Sequence, residues 1–147
     1  MSWISKGTSG NISVRLKEGI LLTPTGIPYE ELQPENICHQ SWKGKVEGKL
    51  EISSEWRFHL AIQKNRKDVN AVVHTHSNHA TALAIQEMGI PANHYMVAAG
   101  GGTNIRCAPY ATFWNLRIIP ACFESSRKPE MLSACPSWSD CNRGEPW

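Results

Sequence analysis

No apolar run in this chain approaches the ~18 residues that a membrane-spanning helix needs. The opening MSWISKGTSGN has neither a hydrophobic signal core nor a cleavage-site pattern, so a cytoplasmic protein with no membrane partner is expected. Blocks of like charge are missing too. The longest is KNRK, residues 64–67, and 15 basic against 13 acidic residues leave a net charge of only +2. That argues against nucleic acid as a partner, and KNRK reads as a solvated helix end followed by a turn. The five cysteines are odd in number and have no CxxC or regular spacing, which supports neither a disulfide framework nor a zinc finger. Cys38 and Cys107 read instead as small buried hydrophobes. No internal repeat or low-complexity tract is present.

What is present is enough for one domain with a real core: 147 residues, 41% of them hydrophobic. Asn11–Leu16 (NISVRL) alternates apolar and polar residues, and GILLT, residues 19–23, follows after a short turn, which predicts a β-hairpin. Pro24, Gly26 and Pro28 break the chain into a loop leading to YEEL, residues 29–32. NICHQS, residues 36–41, reads as a further strand with its turn at Lys43-Gly44-Lys45. From Glu55 to Lys67 the pattern turns helical, with Trp56, Phe58, Ala61 and Ile62 as apolar faces and Ser53 or Ser54 as N-cap. Ala71-Val72-Val73 is a short β-branched strand. Ser77 or Asn78 then caps a helix through Ile85 that stops near Gly89. Strands and helices mix without a βαβ rhythm, so helices packed on a layered sheet are expected. After Phe113 neither period persists, and four prolines interrupt the remaining 34 residues, so no packed structure is assigned there.

The chemistry concentrates at VVHTHSNH, residues 72–79. Residues i and i+2 of a strand share a face, so His74 and His76 can present both imidazoles to one point. Two ligands are too few for zinc, which takes three or four. His79 is out of phase with that face and reads as structural. Glu55, in the first turn of the preceding helix, is a carboxylate candidate, and plain helix capping is its simpler reading. Ser53 and Ser54 beside it sit at a helix N-terminus, a natural anion pocket. Two glycine-bearing loops, Gly7-Thr8-Ser9-Gly10-Asn11 and Thr23-Pro24-Thr25-Gly26, flank the hairpin at one end. Their backbone N–H groups are suited to cradle an oxyanion, and ordinary turns are the plain alternative.

Five blocks in order, GTSGNISVR, GILLTPTGIPYEEL, SSEWRFHLAI, DVNAVVHTHSNHATALAI and IPANHYMVAA with TNIRCAPYATF, resemble the class II aldolase/adducin family. The resemblance spans about Gly7 to Phe113. It implies an α/β fold, three layers α/β/α around a mainly antiparallel central sheet. It further implies Zn2+ held by Glu55, His74 and His76, with Glu55 also the catalytic acid/base and Tyr95 assisting at the aldehyde end. Thr8, Ser9, Gly10, Asn11, Thr25, Gly26, Ser53 and Ser54 fall in the loops that hold a substrate phosphate. The implied activity is zinc-dependent aldol cleavage of a ketose 1-phosphate, of the L-fuculose 1-phosphate kind, to dihydroxyacetone phosphate and a small aldehyde. In that chemistry the metal polarises the ketone as a Lewis acid, the carboxylate moves the proton, and the phosphate supplies binding energy remote from the reacting carbon. A homotetramer is implied as the assembly.

Rival readings within the family are a pentulose-phosphate 4-epimerase, a dehydratase, a catalytically defunct fragment and an adducin-like adaptor. Ser53-Ser54-Glu55-Trp56-Arg57 stands where the epimerases usually carry Ser-Ser-Asp-Thr-Pro, which favours aldolase. The family takes a third zinc histidine from a later His-His-Gly block, whereas no histidine follows His94 here. The expected division is therefore a family domain, residues 1–113, and a divergent tail, residues 114–147, read as disordered or as the product of a frameshift or truncated gene.

Overall fold

The computed structural model describes residues 8–99 and 103–108, so the expected tail 114–147 lies outside the described residues. The chain forms two compact units that divide between His76 and Ser77.

The first unit is built on a five-stranded antiparallel sheet. Its strands are β1 (Asn11–Arg15), β2 (Gly19–Leu22), β3 (Cys38–Ser41), β4 (Val46–Glu47) and β5 (Ala71–His74), in the order β4-β3-β2-β1-β5. The hairpin, the third strand and the valine strand all fall where the alternation places them. YEEL forms a 3-10 turn, Tyr29–Glu31, and a second such turn follows at Pro34–Asn36. Register sets the two faces. Ser13 opposes Leu22 and Val72, Leu22 opposes Cys38, and Ile20 opposes Gln40, and all six are buried. Ile12, Val14 and Val73 project from the opposite face and are substantially exposed.

Helix α1 (Trp56–Asn65) covers the buried face. Its inward residues are His59, Leu60, Ile62 and Gln63, so the apolar stripe expected through Trp56, Phe58 and Ala61 is displaced. Those three are only half-buried. The reason is polar pairing: His59 and Gln63 find partners on the sheet that a hydropathy pattern does not anticipate. The N-cap also differs from expectation. Glu55 occupies that position without a side-chain cap, while the Ser53 hydroxyl accepts the Glu55 N–H at 3.3 Å.

The far end of α1 is secured by Arg15. Its guanidinium donates to the carbonyls of Gln63, of Arg66 at 2.7 Å and of Val69 at 2.9 Å, and lies 5.2 Å from the centre of the Trp42 ring. The last carbonyls of a helix lack intrahelical partners, and a cation there also complements the helix dipole.

The second unit holds α2 (Asn78–Ile85), α3 (Tyr95–Ala99) and an antiparallel pair of β6 (Ile90–Pro91) with β7 (Asn104–Ile105). Ser77 is the N-cap residue of α2, as expected, though its side chain makes no cap bond. Cys38 is fully buried, as a small hydrophobe should be, but Cys107 is only half-buried, which corrects the expectation for it. Among the described residues no helix is long and apolar enough to cross a membrane.

Two substitutions test this packing with opposite signs. Arg15→Met leaves three carbonyls without their charged donor and should cost about 2–4 kcal/mol in urea unfolding. Gln40 is fully buried with neither amide atom bonded, so Gln40→Met should raise stability by about 1–2 kcal/mol in the same assay.

Candidate metal centre and phosphate loops

At one end of the sheet four segments of the first unit come together. Asn11 begins β1 and pairs in register with His74, the last residue of β5. Thr23 continues from β2. Its N–H donates to the Ile12 carbonyl and its Oγ1 accepts the Ile12 N–H, both at 3.1 Å. The segment 51–53 is laced to the same loop. Thr25 N–H donates to Glu51 O at 3.0 Å, Ser53 N–H donates to Thr23 O at 3.3 Å, and Pro24 bridges Ile52. The 23–26 loop and Asn11, at the end of the other glycine-bearing segment, therefore meet beside the Ser53-Ser54-Glu55 helix entry. Gly10 and Gly26 take φ values of 79° and 73°, the left-handed region where a side chain is strained. Ser53 is buried, Ser9 and Gly10 are half-buried, and Thr8, Thr25, Gly26 and Ser54 are exposed.

The metal-ligand candidates converge at this end. Among the described residues Glu55, His74 and His76 form a group whose ligand atoms all lie within 4.8 Å of one another. Glu55 Oε2 is 3.3 Å from His74 Nε2, which is 3.0 Å from His76 Nε2. Ligands on a tetrahedral zinc at its usual bond lengths are roughly 3.3 Å apart, so one carboxylate oxygen and two imidazole nitrogens fit such an ion. The strand itself ends at His74, so His76 reaches the group from the extended segment beyond β5. Phe58 steadies the arrangement, meeting the His74 ring edge-on at a centroid distance of 5.3 Å. His79 lies exposed on α2 and outside this group. Tyr95 opens α3 in the second unit, is 73% exposed, and stacks on His94 at 4.5 Å.

Glu55 stays ionised here. Burial opposes its charge, but hydrogen bonding and attraction to His74, the Asn11 amide and the charge of His76 outweigh burial and hold the carboxyl at about 2. The Asn11 Nδ2 to Glu55 Oε2 bond is 2.6 Å. Behind Asn11 stands a buried polar chain that the residue pattern did not reveal: His59, Ser13 and Gln63. Burial, then the charge of His74, push the His59 imidazole down to about 3 against the pull of Glu55, so it is neutral at pH 7. Tyr29 was missed as well. Burial and then the Glu55 charge raise its phenol above the ordinary value.

Comparison with known proteins settles the lineage. The model of the Class II Aldolase and Adducin N-terminal domain matches residues 2–133. The chain belongs to this family. It is 57% identical over 111 residues to the L-fuculose phosphate aldolase of Escherichia coli (strain K12), covering 75% of this chain and 51% of that protein. It is 44% identical over 131 residues to the 5-methylthioribulose-1-phosphate/5-deoxyribulose-1-phosphate aldolase of Escherichia coli O45:K1, covering 89% and 62%. A solved L-fuculose 1-phosphate aldolase superposes with a TM-score of 0.76 at 36% identity, covering 83% of this chain and 58% of that one. The chain thus has the class II aldolase fold and spans about half the length of the curated relatives it matches.

The neutral buried His59 sets a pH dependence. Unfolded His59 takes up a proton below about 6.5, while the folded form resists until about 3. The unfolded state therefore binds more protons in that window, and stability falls as pH drops through it. For the metal-free chain, urea unfolding at pH 7, 6 and 5 should lose up to about 1.4 kcal/mol per unit below 6.5. His59→Gln should flatten that slope.

Proposed function

We propose that this chain catalyses zinc-dependent aldol cleavage of a ketose 1-phosphate, releasing dihydroxyacetone phosphate and a small aldehyde. The observation that carries this reading is the convergence of Glu55, His74 and His76 beside the Thr8–Asn11, Thr25-Gly26 and Ser53-Ser54 loops. Glu55, His74 and His76 would hold the ion, and three protein ligands with an open position are the usual catalytic arrangement. When bound, zinc supplies Lewis-acid polarisation of the substrate ketone. The loops bind the phosphate through backbone N–H groups and the hydroxyls of Thr8, Ser9, Thr25, Ser53 and Ser54, which fixes the substrate away from the reacting carbon. The ionised Glu55 carboxylate would move the proton: as the carbon–carbon bond breaks, the substrate hydroxyl loses a proton, and one is delivered to the carbon that becomes the hydroxymethyl carbon of dihydroxyacetone phosphate. Tyr95 is assigned to the aldehyde end, following the family resemblance.

The same reading carries a cytoplasmic homotetramer acting in sugar catabolism. The relatives' names suggest the substrates to try first, L-fuculose 1-phosphate and 5-deoxyribulose 1-phosphate.

Elemental analysis of freshly purified chain should find one zinc per chain, and His74→Ala should lose most of it. Release of dihydroxyacetone phosphate, followed by a coupled assay on both sugars, should fall about 10²–10⁴-fold in Glu55→Gln. A wild-type chain without stoichiometric zinc would sink the reading.

A further inference from the structure

The hydrogen-bond chain behind Glu55 has only one consistent direction. An ionised carboxylate accepts and never donates, so the Asn11 amide must turn its NH2 toward Glu55, at 2.6 Å. Its oxygen then faces His59 Nε2, which must carry the proton. Neutral His59 is left with a lone pair on Nδ1, and the Ser13 hydroxyl, 2.7 Å away, donates to it. With that proton committed, Ser13 accepts from Gln63 Nε2 at 2.8 Å. Every bond in the series Gln63, Ser13, His59, Asn11, Glu55 donates toward the carboxylate. Asn11, Ser13, His59 and Gln63 are each at most 4% exposed, so water has little access to substitute for any of them.

We propose that His59, backed by Ser13 and Gln63, is a positioning residue for the metal centre: it locks the rotational state of the Asn11 amide that holds Glu55. An asparagine amide has two orientations of similar shape. Glu55 selects one through the NH2, and the His59 N–H secures the same one through the oxygen, so without a donor at His59 the amide is held from one side only. The amide oxygen is then buried without a donor, and the amide can tilt from the position that holds Glu55 at the point it shares with His74 and His76. Loss of a partner one bond removed from a ligand, the place Asn11 holds, typically changes metal affinity 10–100-fold, and His59 acts through Asn11. The inference rests on the metal site proposed above.

Two measurements test it. In the wild-type full chain at pH 7, long-range ¹H–¹⁵N NMR should show His59 protonated at Nε2 with Nδ1 bare. Protonation at Nδ1 reverses the chain and overturns the proposal, and this test needs no variant to fold. Titration with Co2+, read by its visible ligand-field bands, supplies the second. His59→Leu should weaken Co2+ binding about 10–100-fold, whereas His59→Gln, whose amide N–H can stand in for Nε2–H, should stay within about 3-fold of wild type. In an Asn11→Ala background His59→Leu should have no further effect. Equal affinities for wild type and His59→Leu, or an equal loss in both backgrounds, overturns the positioning role while leaving the metal site standing. Failure of wild type itself to bind Co2+ through histidine removes both.

Discussion

The constraint on which the site depends is a negative charge in a place poor in water. Glu55 is mostly buried, so its ionisation has to be maintained by neighbours rather than by solvent. Those neighbours come from elements far apart in the chain: Asn11 from the start of β1, His74 from the end of β5, and His76 just beyond. Satisfying one carboxylate thereby ties the entry of α1 to two adjacent strands. Two of those neighbours, His74 and His76, form with Glu55 itself the group suited to a divalent ion.

The same requirement explains why the inner face of the sheet is less apolar than a small core usually is. Ile20, Leu22, Cys38, Leu60, Ile62 and Val72 supply the hydrophobic part. Beside them Asn11, Ser13, His59 and Gln63 occupy positions that aliphatic side chains could fill. A buried polar group is costly unless bonded, and a network is tolerated when nearly every member is satisfied. Here the bonds run in series, and one atom, Gln63 Oε1, is left over. Gln40 has no such justification, because neither of its amide atoms is bonded.

Much of this was legible in the residues, and the boundary has a physical origin. The alternation in NISVRL and the β-branched Ala71-Val72-Val73 report burial on one face, which is a local property, so the strands were found. His74 and His76 were visible as a pair because a spacing of two has meaning on a strand. Glu55 could be nominated from its place at a helix entry. The buried chain could not. His59 and Gln63 look like the outward side of an amphipathic helix, and only the register that brings Ser13 under α1 reverses that. Ser53 was expected to cap the helix, yet it binds the N–H of Glu55 and leaves the Glu55 side chain pointing elsewhere. Bonds between residues 44 to 50 positions apart leave no periodic trace.

Direction in such a chain also limits what the site can do with a proton. His59 is a neutral imidazole next to an asparagine, and an amide does not readily pass a proton on. The series therefore conducts polarisation toward Glu55 without offering a route for proton exit through the core. Any proton that Glu55 accepts has to leave on the side of the metal ligands and the phosphate loops, where substrate would sit. With Oε2 held by Asn11 and His74, the carboxylate can exchange a proton only away from that network, with whatever group faces it there.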